Sequence, residues 1–372
     1  MGDARAVLIA AISGRALAAS ARRAHLRPLV ADCFGDQDTL ALADNHVTLS
    51  SGLERPFDQQ EILAVLERLA SGDRPIGVVC GTGFEDQPDL LESLAARWRL
   101  LGNGAKTVGH IKDPVAFSGL CLAVGVPHPE ISVTRPRDPT GWLAKRRGGA
   151  GGSHVRRADD PIAAGAIYYQ REVAGRPVSA LVLAHRGVAK LVGFSEQWSA
   201  PDRQHPFRYG GAVQPAELTH GTQAAMVESL ARLLARVPLE GLNSADFLVD
   251  GDRFWLLEIN PRPGGTLDIF EPHEGSLLGL HIAACERPLD DGPTWCGEAA
   301  AAAIAYADHD IAVMPAIDWP TWTRDRPRSG ITVKAGQPVC TVHAQAVSAA
   351  AARLLVAARV SSVLAELKRP RP

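Results

Sequence analysis

One stretch, SADFLVDGDRFWLLEINPRPGGTLDIF at 244–270, restricts the possible folds more than any other part of the chain. Two runs of strand character flank Asp250-Gly251, a turn-forming pair, so a β-hairpin is predicted over 244–260. Side chains two apart share a face of a strand, so Glu258 and Asn260 point the same way. Register decides whether Asp246 joins them. A loop with an odd residue count, centred on Asp252, sets Asp246 opposite Glu258. It also puts Phe247 and Val249 on the other face with Trp255, Leu257 and Ile259. A two-residue turn at Asp250-Gly251 would shift the parity and scatter both sets, so the hydrophobic pattern selects the odd register.

Two carboxylates and an amide oxygen then converge at one end of a sheet. Alone, the carboxylates repel, and one tends to take up a proton. A hard cation removes that conflict. Mg²⁺ prefers oxygen ligands and is commonly held by one or two carboxylates plus substrate phosphates. Arg262 follows two residues after Asn260, and its planar cationic fork suits a phosphate or carboxylate. A plain surface hairpin would turn polar tips to water. Glu and Asn inside an apolar strand, followed by Pro-Arg-Pro-Gly-Gly, fit that poorly.

The 372 residues suggest two or three domains. AVLIAA at 6–11, LVADCF at 29–34 and Ile76–Val79 read as buried strands, with helices over ALAASARRAHL and EILAVLERLA between them. This alternation predicts a parallel, Rossmann-like layer over 1–105. The apolar start superficially resembles a leader, but Arg15 interrupts it and Arg22-Arg23 follow, so a buried first strand is the better reading. The loops Ser13-Gly14-Arg15 and Gly81-Thr82-Gly83-Phe84-Glu85 belong at the carboxyl edge of that sheet, where such sheets bind ligands, or are simple turns. From 106 to 288 the pattern becomes α+β. Strands are expected near 141–146, 166–173, 178–184 and 188–193, with helices over 115–124 and QAAMVESLARLLARV. The rest, 289–372, reads as an Ala-rich strand, a Pro/Trp-rich segment, a β-hairpin over ITVKAGQPVCTVHA and a final helix.

A second constellation is TGWLAKRRGGAGGSHVRR. Lys145 ends an apolar strand and precedes Gly148-Gly149-Ala150-Gly151-Gly152. Glycines let backbone N–H groups approach phosphate oxygens and let a loop open and close. A third segment, AIYYQREVAGRPVSALVLA, reads by itself as strand, turn and strand.

Together these segments resemble the ATP-grasp superfamily across roughly 100–290. The hairpin is similar to that family's metal-binding hairpin, with an acidic residue, Glu twelve positions on, Asn two further and Arg two further. The resemblance implies an ATP-grasp fold, with the α/β layer before it and a small β-rich C-terminal appendage after it. It implies that Asp246, Glu258 and Asn260 coordinate Mg²⁺ or Mn²⁺, and that Arg262 steadies an acyl phosphate. Lys145 becomes a phosphate lysine, and Gly149, Gly151, Gly152 and Ser153 line the nucleotide loop with His154. Gln170 flanks the adenine, and the Arg171 and Val173 backbones pair with its edge. Two departures stand out. The acidic ribose position corresponds to Pro177. The family's first phosphate lysine directly follows an Asp, whereas Asp113 here precedes Pro114, which leaves Lys112 or Lys106 to supply that charge.

The implied activity is Mg-ATP-dependent amide formation from a carboxylate and an amine. The motifs also look like ATP-grasp proteins of one-carbon cofactor biosynthesis in methylotrophs, and within that group resemble the type that joins glutamate to tyrosine or tyramine for methylofuran. Arg208, Tyr209, Gly83 and Phe84 are candidate substrate contacts, or packing residues. A bicarbonate-activating carboxylase subunit and a non-catalytic nucleotide-binding protein are the alternatives. A Rossmann dehydrogenase is disfavoured, because no GxGxxG follows the first strand. With 39 basic and 41 acidic side chains, no basic footprint for nucleic acid is present. No other apolar run approaches the roughly 18 residues of a membrane span. Cys33, Cys80, Cys121, Cys285, Cys296 and Cys340 lack zinc-ligand spacing and suit a reducing cytoplasm. The expected partners are small molecules, and a homodimer is allowed.

Overall fold

The computed structural model describes residues 4–52, 56–160, 167–289 and 298–369, and the strands and contacts below are those of the described residues. The N-terminal layer is a parallel sheet of β1 (Ala6–Ala10), β2 (Arg27–Asp32), β3 (Asn45–Thr48) and β4 (Val78–Cys80), ordered β3-β2-β1-β4. All of β1 is buried, as a central parallel strand covered on both faces must be. The helix Arg15–Arg23 covers one face and Gln59–Ala70 the other. In the latter, Asp58 caps the amide of Glu61 at 2.8 Å. Ile62, Leu63, Leu66 and Leu69 recur at helical spacing and are buried.

A small antiparallel sheet follows: β5 (Ile131–Ser132), β6 (Trp142–Arg146), β7 (Val155–Arg157) and β8 (Ile167–Arg171), ordered β5-β8-β6-β7. The largest sheet holds β9 (Arg176–His185), β10 (Val188–Ser199), β11 (Tyr209–Gln214), β12 (Gly241–Asp250), β13 (Arg253–Asn260), β14 (Ala299–Tyr306), β15 (Thr323–Arg324) and β16 (Pro338–Ala346). Its order is β13-β12-β9-β10-β11-β14-β16-β15. The helix His220–Leu234 packs Met226, Leu230 and Leu233 on one face against Phe247, Phe254 and Leu256. The helix Ala349–Leu367 packs on β14 and β16.

The segment expected as an appendage therefore supplies strands to the main sheet. β14 is almost all alanine, a weak strand former, yet it is hydrogen-bonded on both edges and buried on both faces. There, fit decides rather than propensity. The expected hairpin over 331–344 is not formed. Residues 331–337 instead bond to the segment after β14, with Val333 bridged to Ile311, Met314 donating to the Ile331 carbonyl and Ala307 bonded to Gly336 and Gln337, while β14 and β15 pair with β16.

The β12–β13 hairpin also differs in detail. Asp250 pairs with Arg253, so the turn has two residues, Gly251 and Asp252. Even so, Asp246 lies opposite Glu258, because a β-bulge between Asp246 and Phe247 skips Leu257. Beyond the bulge, Phe247 pairs with Leu256 and Val249 with Phe254. The buried apolar residues of β13 are therefore Phe254, Leu256 and Ile259; Trp255 and Leu257 are half-buried. The expected apolar layer of Trp255, Leu257 and Ile259 is corrected accordingly: the bulge resets parity where the turn does not.

His281 ties the layers together. It is fully buried, its Nδ1 accepts from the Leu242 amide at 2.8 Å, and its Nε2 meets the Leu101 carbonyl at 2.9 Å. Only the neutral ring serves both partners. Burial, partly offset by the Leu101 carbonyl, lowers its pKa to about 4. A histidine depressed on folding loses stability as pH falls below its unfolded value of about 6.5. Between pH 7 and pH 5 wild type should therefore lose about 2 kcal/mol more than His281→Gln, measured by urea unfolding. Equal losses in the two proteins would refute this.

Among the described residues, no helix is long and apolar enough to cross a membrane. Cys33, Cys80, Cys121, Cys285 and Cys340 are free thiols, and Cys296 lies outside the described residues.

Candidate functional site

The hairpin end, the helix Ala105–Lys112 and the small sheet meet around Glu258. Asp246 Oδ1 accepts from the Ser179 hydroxyl at 2.6 Å, and Oδ2 accepts from Asn260 Nδ2 at 2.8 Å. Asn260 Oδ1 and Glu258 Oε2 both accept from Lys112 Nζ, at 2.7 and 3.0 Å. Burial and the Glu258 charge raise the Asp246 carboxyl. Burial also works against the Glu258 charge, but Lys112, with Lys145, outweighs it and holds that carboxyl down at about 2. Lys106 lies exposed on the same helix, so of the two lysines Lys112 is the one at the site.

This donor set fits a hard divalent ion. Two of its oxygens already converge on one cationic nitrogen, and the strain on Asp246 is the kind a dication relieves. Among the described residues, no group of three or more His, Cys, Asp or Glu side chains is gathered for a metal. An ion here would draw further oxygens from phosphates or water. Asp246, Glu258 and Asn260 are the residues that would hold it.

Lys145 is buried on β6, and its Nζ donates to Gln170 Oε1 at 3.1 Å. An ammonium cannot accept, so the amide orientation is chemically forced. Among the described residues, buried Gln170 Nε2 meets no partner. Such an orphan donor is costly unless a ligand acceptor meets it. Burial opposes the Lys145 charge, yet Tyr168 and Glu258 hold its pKa above the usual lysine range. Val173 lies in the link from β8 to β9, and among the described residues its N–H meets no acceptor. Arg171 gives its amide to Glu130, at 2.8 Å. Pro177 is exposed on β9 and offers no polar side chain for a ribose.

The glycine loop is folded down over this space. A Cβ on Gly148 would stand 2.6 Å from Asp86, one on Gly149 would meet the His154 ring at 2.3 Å, and one on Gly152 would come within 2.0 Å of the Phe207 carbonyl oxygen. The Gly151 carbonyl accepts from the Tyr209 amide at 2.9 Å. Close approach therefore explains these glycines directly. Ser153 is exposed at the loop end. His154 is held neutral, near 4, chiefly by burial.

The expected substrate contacts divide. Tyr209 lies near both Asp246 and Asp268; burial first, then Tyr306 and those charges, raise its hydroxyl pKa. Gly83 donates to Glu85 Oε2 at 2.7 Å. Phe84 is corrected to a core residue, 3% exposed, with its ring 4.8 Å from that of Phe57. Arg208 is corrected to a brace. It donates to the Ala200 carbonyl, Asp202 and the Gly336 carbonyl, and stacks 3.7 Å from the Tyr306 ring centre. The contact that sequence reasoning missed is Glu85 to Arg262: Oε1 accepts from Nε at 2.6 Å. The two are 177 residues apart, and no local pattern links them.

Residues 120–266 match the family described as an ATP-grasp domain. The carbamoyl phosphate synthase large chain of Rubrobacter xylanophilus is 21% identical over 292 residues, covering 69% of this chain. This chain spans only 27% of that relative's length. A biotin carboxylase from Campylobacter jejuni, in a β-γ-ATP complex, is 16% identical with a TM-score of 0.73, over 98% of this chain and 95% of that one. An L-amino acid ligase from Bacillus licheniformis is 14% identical with a TM-score of 0.72, over 96% and 97%. At such identities the likeness speaks for the fold.

Proposed function

Because the chain has the ATP-grasp fold, we propose that it is an Mg-ATP-dependent ligase joining a small carboxylate to an amine. The observation that carries this reading is the direct pairing of Asp246 with Glu258, with Asn260 bonded to Asp246, Lys112 bonded to both Asn260 and Glu258, and the charges of Lys145 and Arg262 nearby. In the proposed division, 1–105 is the preceding layer, 106–288 holds nucleotide and metal, and 289–372 completes the sheet.

In the first step a carboxylate oxygen attacks the γ-phosphorus, giving an acyl phosphate and ADP. An amine nitrogen then attacks the acyl carbon. Phosphate leaves, an amide forms and a proton is released. Catalysis of the first step is mainly positioning and charge neutralisation. Asp246, Glu258 and Asn260 would hold Mg²⁺ or Mn²⁺, which neutralises phosphate charge when bound. Lys112 and Lys145 face phosphate oxygens, and Gly149, Gly151, Gly152 and Ser153 close over them. The Gln170 amide, with the Arg171 and Val173 backbones, meets the base. Arg262 meets the acyl phosphate. The free thiols suit a reducing compartment.

The likeness to a biotin carboxylase supports a second reading, in which bicarbonate is the carboxylate. Phosphate release from Mg-ATP, screened with pairs of amino acids and aromatic amines and with bicarbonate alone, separates the two. Glutamate with tyrosine or tyramine is the first pair to try, on the methylofuran resemblance. Release with bicarbonate alone would favour the second reading. No release with any pair, despite ADP binding, would leave a nucleotide-binding protein.

A further inference from the structure

We infer that Glu85 and Asn103, both in the N-terminal layer, are positioning residues that aim Arg262. The inference rests on the ligase reading above. Glu85 is 4% exposed, and each of its carboxylate oxygens is engaged: Oε1 by Arg262 Nε at 2.6 Å and Oε2 by the Gly83 amide at 2.7 Å. The carboxylate is thus tethered to its own loop before it meets the guanidinium. Giving Nε to Glu85 leaves the outer edge of the fork unspent. Among the described residues Nη2 meets no acceptor, and Nη1 reaches only the Pro263 carbonyl at 3.4 Å. Those outer donors are what an anion would take in paired fashion.

The backbone is held from the same side. Pro261 and Pro263 flank Arg262 and narrow its conformations. Asn103 Nδ2 donates to the Pro261 carbonyl at 2.9 Å, while Asn103 Oδ1 accepts from the Glu240 amide at 2.9 Å. Asn103 also reaches Asn243 Oδ1, at 2.8 Å, on the hairpin's first strand. A buried ion pair adds little net stability over an apolar pair of the same volume. It does set direction, and direction is what a group facing a transferring phosphoryl requires.

The test uses the full chain with Glu85→Gln, Glu85→Ala and Asn103→Ala, each checked for folding by circular dichroism. Glu85→Ala is expected to lower kcat for phosphate release by about 10- to 100-fold, with the KM for Mg-ATP changed by no more than about threefold. Asn103→Ala should act in the same direction. Glu85→Gln keeps an acceptor for Nε and should recover much of the loss. In an Arg262→Ala background, Glu85→Ala should cost nothing further. Losses that multiply in that double variant, or a Glu85→Ala kcat within about twofold of wild type, overturn the inference.

A second measurement needs no turnover. The Arg262 Nε–H resonance, assigned by its loss in Arg262→Lys, should exchange slowly with solvent in wild type. Exchange should be fast in Glu85→Ala and intermediate in Glu85→Gln. Equal exchange rates in wild type and Glu85→Ala also overturn the inference. Glu85-dependent exchange in a wild-type chain that releases no phosphate with any substrate pair would fault the ligase reading, while the positioning contact would stand.

Discussion

Glu258→Ala is expected to lower ATP-dependent phosphate release by at least about a hundredfold, the scale of losing one key electrostatic stabiliser. Glu258 lies opposite Asp246 and accepts from Lys112, and its charge is felt by Lys145 and His154. Removing it should do more than delete a ligand. Burial keeps acting on Asp246, and Lys112 loses an acceptor. Glu258→Gln separates these effects: it keeps a ligand oxygen but no charge, and should fall between alanine and wild type. Steady-state kinetics over a range of Mg²⁺ gives the readout. Turnover of Glu258→Ala within about tenfold of wild type at saturating Mg²⁺ would count decisively against a metal at this hairpin.

Arg15→Ala should destabilise the chain by about 3–5 kcal/mol, the usual cost of breaking a buried ion pair from one side. The Arg15 side chain is 5% exposed. It donates from Nη1 and Nη2 to Asp268 at 2.7 and 2.5 Å, and from Nε and Nη2 to Asp325 at 2.9 and 3.1 Å. One guanidinium thus joins the start of the helix Arg15–Arg23, the short helix Leu267–Phe270 and the segment after β15. Burial opposes the Asp268 charge, but Arg15 overrides it and brings the carboxyl down to about 2. An acid depressed on folding contributes above its unfolded pKa of about 3.9, so that share is present at pH 7 and fades only as pH falls toward about 2. Urea unfolding at pH 7 measures the loss. Arg15→Lys should recover only part of it, since an ammonium cannot satisfy both carboxylates in a forked manner. A change below about 1 kcal/mol for Arg15→Ala would show that the pair is solvent-screened after all.

Arg15 and Glu85 both follow parallel strands of the N-terminal layer, and the sequence marks their segments as ligand-binding sheet-edge loops or simple turns. One becomes a lock among three segments and the other holds Arg262. In neither case does the spacing of neighbouring residues reveal the partner. Phe84, one residue from Glu85, reads from the sequence as either a substrate contact or a packing residue, and in the structure it is buried against Phe57. An aromatic side chain in a loop serves either purpose, and only the position of Phe57 decides.

Strand alternation, the hairpin with its reversal close to Gly251, the strand–lysine–glycine order at Lys145 and the clustered Glu258, Asn260 and Arg262 were all legible in the chain, because each depends on chemistry within a few residues. They suffice for the expectation of a nucleotide and a divalent ion on which the proposed function rests. The bulge that skips Leu257, the entry of β14 and β16 into the main sheet, and the grip of Glu85 on Arg262 were settled by folding alone. Each joins groups distant along the chain, or resets strand parity within the hairpin. A burial preference written into single residues cannot encode which distant surface will meet it.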